Sequence, residues 1–376
     1  MIEVQLNSMH RGRQSNGRHQ RLVYFGGIYD LIHQDKELSD HSFQFFSKIL
    51  PSGRQQPAGY DILVPTLTGD IDHSDLLRAM LPESAPASFF ADMARQVFDA
   101  GAVHGKSAAE KYEHYKSIAG STVLVGYCYG SFTAQKVMDE FELHMSKEGL
   151  NKKQVASVMK QLKAVHIAPI TPVPETSDAA QLYFLQLNDT VAATYMDKDI
   201  IRRALASPEK VEHMTRCSAD AVSGFDPQSN PNNRHHKAEK QLSVYRQDNS
   251  LLITSASPAQ QGVGYYNIGS GSEDKRHAGE KTYHPNCHGI RGYVLSNRFI
   301  PGQGAIALAQ NGFSVMLPPL LKTLLLQPEK ITGIQDMHDQ FFTDEKLEKA
   351  GKSLHAARKL RDYVEKTFTV DPYGRS

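Results

Sequence analysis

Four short apolar runs, spaced through the first 170 residues, constrain this chain more than any other feature. They are RLVYF (21–25), YDILVPTLTGD (60–70), STVLVG (121–126) and LKAVHIAPI (162–170). Each is nearly continuous in Val, Ile, Leu and aromatic residues and too short for a core helix. Such runs suit strands buried on both faces, as in a parallel sheet covered by helices. The segments between them fit that reading. Apolar residues at helical spacing (Phe43, Phe46, Ile49, Leu50) precede Pro51, a helical stretch runs from about Ala87 to Tyr115 with a break at Gly101–Gly105, and another runs from Gly130 to about Met145. Strands alternating with helices predict βαβ units and an α/β fold with helices on both faces of the sheet.

The third run continues into the most informative segment, VLVGYCYGSFTAQKVM (123–138). An apolar strand leads to G-Y-C-Y-G and then a helix, the G-x-Nuc-x-G pattern of a nucleophile elbow with Cys128 in the reactive position. A residue on so sharp a strand-to-helix turn has strained dihedrals. Its neighbours Gly126 and Gly130 are glycines because adjacent strands leave no room for side chains. Cys128 would project above the sheet at a helix N-terminus, where the helix dipole favours thiolate. One oxyanion donor would be the backbone N–H of Tyr129. The other would come from the loop after the first strand, FGGIYD (25–30), with Gly27 or Ile28 supplying the N–H.

FGG after the first strand, TLTGD after the second and VGYCYGS at the elbow resemble the α/β-hydrolase fold. A Cys elbow is similar to those of polyhydroxyalkanoate synthases and dienelactone hydrolases. TPVPETSDAAQLYF (171–184) looks like the start of the synthases' cap insertion, and HGIRGYVLSNR (288–298) resembles the segment that begins with their catalytic His. The chain departs from them in carrying Ser131 where a second Gly follows the elbow, and in having no Trp. The resemblance implies an α/β-hydrolase fold, and the chain then divides into a polar flexible arm or edge strand (1–20), the first part of the core (21–171), a cap or lid insertion (172–240), the second part of the core (241–330) and a C-terminal helical extension (331–376).

In this fold the acid and the base follow the nucleophile in that order. Asp248, at the end of QLSVYRQD, is the preferred acid, 40 residues before His288. Asp189, after QLYFLQLN, is the alternative, although that run could equally be a cap helix. His288 in CHGIRGYV is the preferred base, with His284 and His277 as rivals in the same loop. His would take the thiol proton, and the Asp would orient the ring and stabilise its charge. HPNCH (284–288) offers His284, Cys287 and His288 as zinc ligands, with Cys217 as a distant fourth, but no second cluster accompanies it, so no metal is expected.

Composition narrows the class further. Lys and Arg total 42 against 41 Asp and Glu, which gives no reason to expect a nucleic-acid partner. Three cysteines in 376 residues are no disulfide framework. The N-terminus lacks the apolar core of a secretory signal, and Ala305–Leu326 is broken by polar residues and prolines, so no transmembrane segment is expected. The expectation is a cytoplasmic acyl-transfer enzyme without a cofactor, acting on a small acyl ester or thioester through a covalent thioester. A hydroxyacyl-CoA acyltransferase like the synthases, and a binding protein that keeps the fold without chemistry, are the alternatives. A homodimer is left open.

Overall fold

In a computed structural model of the chain, the residues described are 2–11, 20–32, 59–186, 189–207, 211, 242–255, 264–267, 281–283, 298–300, 305–308, 313, 316–352, 359 and 363. The elements, in chain order, begin with β1 (Ile2–Arg11), β2 (Gln20–Phe25), α1 (Ile28–Ile32), β3 (Tyr60–Gly69), α2 (His73–Ala79), α3 (Ser88–Val97), α4 (Ala108–Gly120), β4 (Thr122–Tyr127), α5 (Tyr129–Lys147) and α6 (Lys152–Met159). They continue with β5 (Lys163–Ile167), β6 (Ala180–Gln186), α7 (Thr190–Met196), α8 (Lys198–Leu205), β7 (Leu242–Gln247) and β8 (Ser250–Ser255). Four short strands follow, β9 (Gly264–Asn267), β10 (Lys281–Tyr283), β11 (Arg298–Ile300) and β12 (Ala305–Leu308), then α9 (Leu317–Leu326) and α10 (Ile334–Phe341).

The main sheet has eight strands in the order β1-β3-β2-β4-β5-β6-β8-β7. Its six central strands are parallel, while β1 and β7 run antiparallel at the two edges. Strands β9 to β12 form a separate antiparallel sheet in the order β10-β9-β12-β11. All five residues of β5 and all seven of β6 are buried, as a strand covered on both faces requires. One face packs α3, α5 and α6 through Phe90, Met93, Val137, Phe141 and Val158. The other packs α9 and α10 through Leu317, Leu320, Leu324 and Met337. The chain is therefore α/β, with a mostly parallel sheet between two helical layers.

Of the two readings of the N-terminal segment, residues 2–11 take the edge strand, with Ile2, Val4 and Leu6 alternating onto the core. The expected cap insertion at 172–240 contains β6, a central strand hydrogen-bonded to β5 and β8, so at least 180–186 belongs to the core. The helix expected around residues 39–50 lies outside the described residues.

One topological point places the site. From β2 the chain moves outward to β3, then crosses back over β2 to β4 and continues outward to β5 and β6. The segments leaving the carboxyl ends of β2 and β4 therefore diverge in opposite directions. In open α/β sheets, that divergence opens a crevice in which ligands bind.

Candidate active site

The turn that carries Cys128 lies at this point of divergence, between the carboxyl ends of β2 and β4. Phe25 pairs with Gly126 in the β2–β4 ladder, so the loop Gly26–Gly27 stands beside the loop Tyr127–Tyr129. A Cβ placed on Gly27 would lie 3.8 Å from Cys128 Cβ. The glycines flanking Cys128 are sterically required. A Cβ on Gly126 would lie 2.5 Å from the Gly130 carbonyl oxygen, and one on Gly130 would lie 1.9 Å from the Phe25 carbonyl oxygen. Cys128 itself has φ 54° and ψ −121°, a left-handed backbone in a residue other than glycine. Such strain persists only where the surroundings impose it. Here Cys128 N–H donates to the Ile167 carbonyl at 3.0 Å, and the Cys128 carbonyl accepts from Ser131.

Helices α2, α4, α6 and α8 begin with side-chain caps, from Asp72, Ser107, Asn151 and Asp197. Helix α5 does not: its N-cap is Cys128, which makes no capping hydrogen bond. The first N–H groups of a helix have no intrahelical acceptor, so Tyr129 N–H is left for another acceptor beside the thiol. Of the two donors expected from the neighbouring loop, Gly27 N–H is engaged, donating to Asp30 Oδ2 at 3.1 Å. Ile28 begins α1, so its N–H also lacks an intrahelical acceptor. The Tyr129 ring is buried, its hydroxyl donating to the Leu76 carbonyl at 2.8 Å. Burial pushes that phenol well above its ordinary range. The Tyr24 phenol is also raised, first by burial and then by the charges of Asp30 and Cys128.

The two candidate acids lie at opposite ends of the sheet. Asp189 follows the carboxyl end of β6, the end at which Cys128 follows β4, with β5 between the two strands. It is buried, and its Oδ1 accepts from Ala192 N–H at 2.9 Å as the N-cap of α7. Asp248 sits in the β7–β8 hairpin, before β8 begins, and is therefore at the amino end of the parallel strands. Its exposed carboxylate accepts from Ser177 N–H at 2.8 Å and helps line a polar cavity of about 540 Å³ beside α5, along with Glu142, Asp178 and Gln181. The hairpin reverses the chain and carries Asp248, the acid preferred from sequence, to the end of the sheet opposite Cys128, so of the two candidates only Asp189 shares the thiol's end. His288, His284 and His277, and with them Cys287 and Cys217, lie outside the described residues. Among the described residues no group of three His, Cys, Asp or Glu side chains is placed to hold a metal, and no helix is long and apolar enough to cross a membrane.

A buried polar ladder under the turn has no counterpart in the sequence reading. His166, the register partner of Gly126, meets Gln181 Oε1 through Nε2 at 3.0 Å and stacks on Tyr183 with ring centroids 4.3 Å apart. The Tyr183 hydroxyl donates to Gln181 Oε1 at 2.7 Å and accepts from Gln135 of α5 at 2.6 Å, while Thr171 donates to Gln135 at 2.7 Å. Burial lowers the His166 pKa to about 4, partly opposed by Gln181 and more weakly by the Ser131 backbone. Its Nδ1 has no hydrogen-bond partner among the described residues. The only signal for this ladder was a histidine inside the apolar run LKAVHIAPI.

No protein-family model matches the chain, and comparisons with curated proteins and with solved structures return no match.

Proposed function

We propose that the chain is an acyl-transfer enzyme of α/β-hydrolase type, an ester or thioester hydrolase that works through Cys128. The observation that carries this reading is the strained backbone of Cys128 at the head of an uncapped helix, in the crevice where β2 and β4 diverge. In an acyl ester or thioester bound there, the Cys128 thiolate attacks the carbonyl carbon. The carbonyl π bond breaks as the new C–S bond forms, and the oxyanion falls to Tyr129 N–H and Ile28 N–H. One such donor contributes on the order of 10²–10³ in rate. Collapse expels the alcohol or thiol, protonated by the imidazolium that took the Cys128 proton. Water, deprotonated by the same imidazole, then releases the acid and restores the thiol.

His288 is the base we assign from sequence, with Asp189 as the acid behind it. The carboxyl ends of β4 and β6 are two strand spacings apart, roughly 10 Å, a gap that two side chains and an imidazole can span. The second reading, a hydrolase-like scaffold that binds without chemistry, is favoured by one observation: Cys128 is 3% exposed.

Site-resolved iodoacetamide labelling as a function of pH separates the two, with Cys128→Ala and His288→Ala as controls. Fast labelling of Cys128 well below pH 8 that slows in His288→Ala is expected, together with turnover of 4-nitrophenyl esters or acyl thioesters. Slow labelling with an ordinary thiol profile, indifferent to His288, would sink the proposed pair and favour the binding scaffold.

A further inference from the structure

Ser131 stands where a second glycine follows the elbow in the families this segment resembles, and its side chain is fully buried. Its hydroxyl has two partners. It accepts from Ile170 N–H at 3.1 Å, and it donates to the Cys128 carbonyl oxygen at 2.6 Å. That same oxygen also accepts from Ser131 N–H at 3.0 Å. Satisfying Ile170 N–H explains why an acceptor is buried here. It does not explain the donor half, because the Cys128 carbonyl already has a backbone partner.

The donor half gains meaning from the geometry of one peptide unit. The Cys128 carbonyl and Tyr129 N–H belong to the same peptide, which is trans, so the two groups point in opposite directions. Two donors on the carbonyl fix the rotation of that plane. They also draw electron density towards its oxygen, which makes the N–H at the other end a stronger donor. Hydrogen bonds in series polarise one another in this way, most strongly in a low-dielectric interior. From Ile170 N–H through the Ser131 hydroxyl to the Cys128–Tyr129 peptide, every bond runs in the same sense, ending at the N–H that faces the crevice.

We propose that Ser131 is a positioning residue whose hydroxyl orients and polarises the Cys128–Tyr129 peptide, strengthening Tyr129 N–H as an oxyanion donor. The proposal rests on the acyl-transfer reading and adds to it a residue that never touches substrate. It makes a distinction that a purely structural role does not. Acylation passes through an oxyanion, whereas alkylation by iodoacetamide displaces iodide at a saturated carbon and forms none. The relay therefore matters to the first reaction and not to the second.

The experiment measures both reactions on the full chain, for the wild type, Ser131→Ala and Ser131→Thr. Pre-steady-state release of 4-nitrophenolate from 4-nitrophenyl acetate reports acylation, and iodoacetamide reports the thiol. Ser131→Ala should slow acylation roughly tenfold, since one donor is weakened but not removed. KM and the rate and pH profile of alkylation should stay within about twofold, and Ser131→Thr should recover most of the loss. Acylation by Ser131→Ala within about twofold of wild type would overturn the relay. So would an equal slowing of acylation and alkylation, which would make Ser131 a residue of the fold alone. A wild-type Cys128 that alkylates readily but is never acylated would reject the acyl-transfer reading, and the relay with it. If melting shows that Ser131→Thr does not fold, the comparison of wild type with Ser131→Ala decides.

Discussion

Gly130 and Phe25 meet backbone to backbone: the first turn of α5 passes so close to the end of β2 that a Cβ on Gly130 would lie 1.9 Å from the Phe25 carbonyl oxygen. Neither partner is the end of a flexible side chain, so the contact cannot be relieved by a change of rotamer. Gly130→Ala is expected to cost about 3 kcal/mol or more, at or above the upper end for overpacked cores. Gly101→Ala, where a Cβ would meet nothing within 4 Å, should stay within about 0.5 kcal/mol of wild type. Urea denaturation of the two variants checks both values.

The positions of the two aspartates lead to a second prediction. Asn caps a helix as well as Asp does, so Asp189→Asn should leave α7 and the melting temperature almost unchanged. It removes the negative charge that would stabilise an imidazolium, and should lower ester turnover by a factor on the order of 10²–10⁴. Asp248→Asn, at the other end of the sheet, should turn over at the wild-type rate. The check is steady-state kinetics on a 4-nitrophenyl ester, with thermal melts alongside. Equal losses in both variants would reject Asp189 as the acid.

A third prediction concerns pH and stability. In the folded chain His166 has its pKa lowered to about 4 by burial, against an ordinary value of 6.5. Between those values the unfolded chain binds a proton that the folded chain does not. Stability should therefore fall as pH drops from 6.5 towards 4, and this contribution levels off below 4. The size is on the order of 3 kcal/mol across the window. His166→Gln should flatten the curve over that range. The difference between wild-type and variant denaturation curves, taken at several pH values, isolates the contribution from the carboxylates that also titrate there.

Much of the frame could be read from local chemistry. VLVG, with helices before and after, reads as a strand buried on both faces, and the structure places β4 at Thr122–Tyr127 in the middle of the sheet. The break expected at Gly101–Gly105 falls between α3 and α4. What could not be read depended on partners distant in sequence. QLYFLQ (181–186) carries glutamines at both ends and looks amphipathic, but both are buried, and Gln181 is bound by His166 and Tyr183. That network turns an apparent cap segment into a central strand. Counting strands along the chain favours Asp248, but the count carries no direction. Only the antiparallel pairing of β7 with β8 reveals which end of the sheet a turn occupies. Ile2, Val4 and Leu6 alternate as in an edge strand, but they run into an Arg-rich stretch at 11–18 that suits an arm, so the sequence leaves both readings open.

The reversal of the chain at β2 also bears on how the protein assembles. Gly27 and Cys128 face each other across 101 residues of sequence, because β3 and helices α1 to α4 are traversed before β4 returns to lie against β2. That juxtaposition is therefore a non-local product of folding: it exists only after a long loop has closed, and no contiguous fragment shorter than that span can contain it. Closing such a loop costs entropy before any contact rewards it, so pairings of this kind tend to form late. The strained backbone at Cys128 cannot be held before the Ile167 and Ser131 contacts exist. The environment of this one thiol thus reports, in time as well as in space, the moment at which the chain becomes whole.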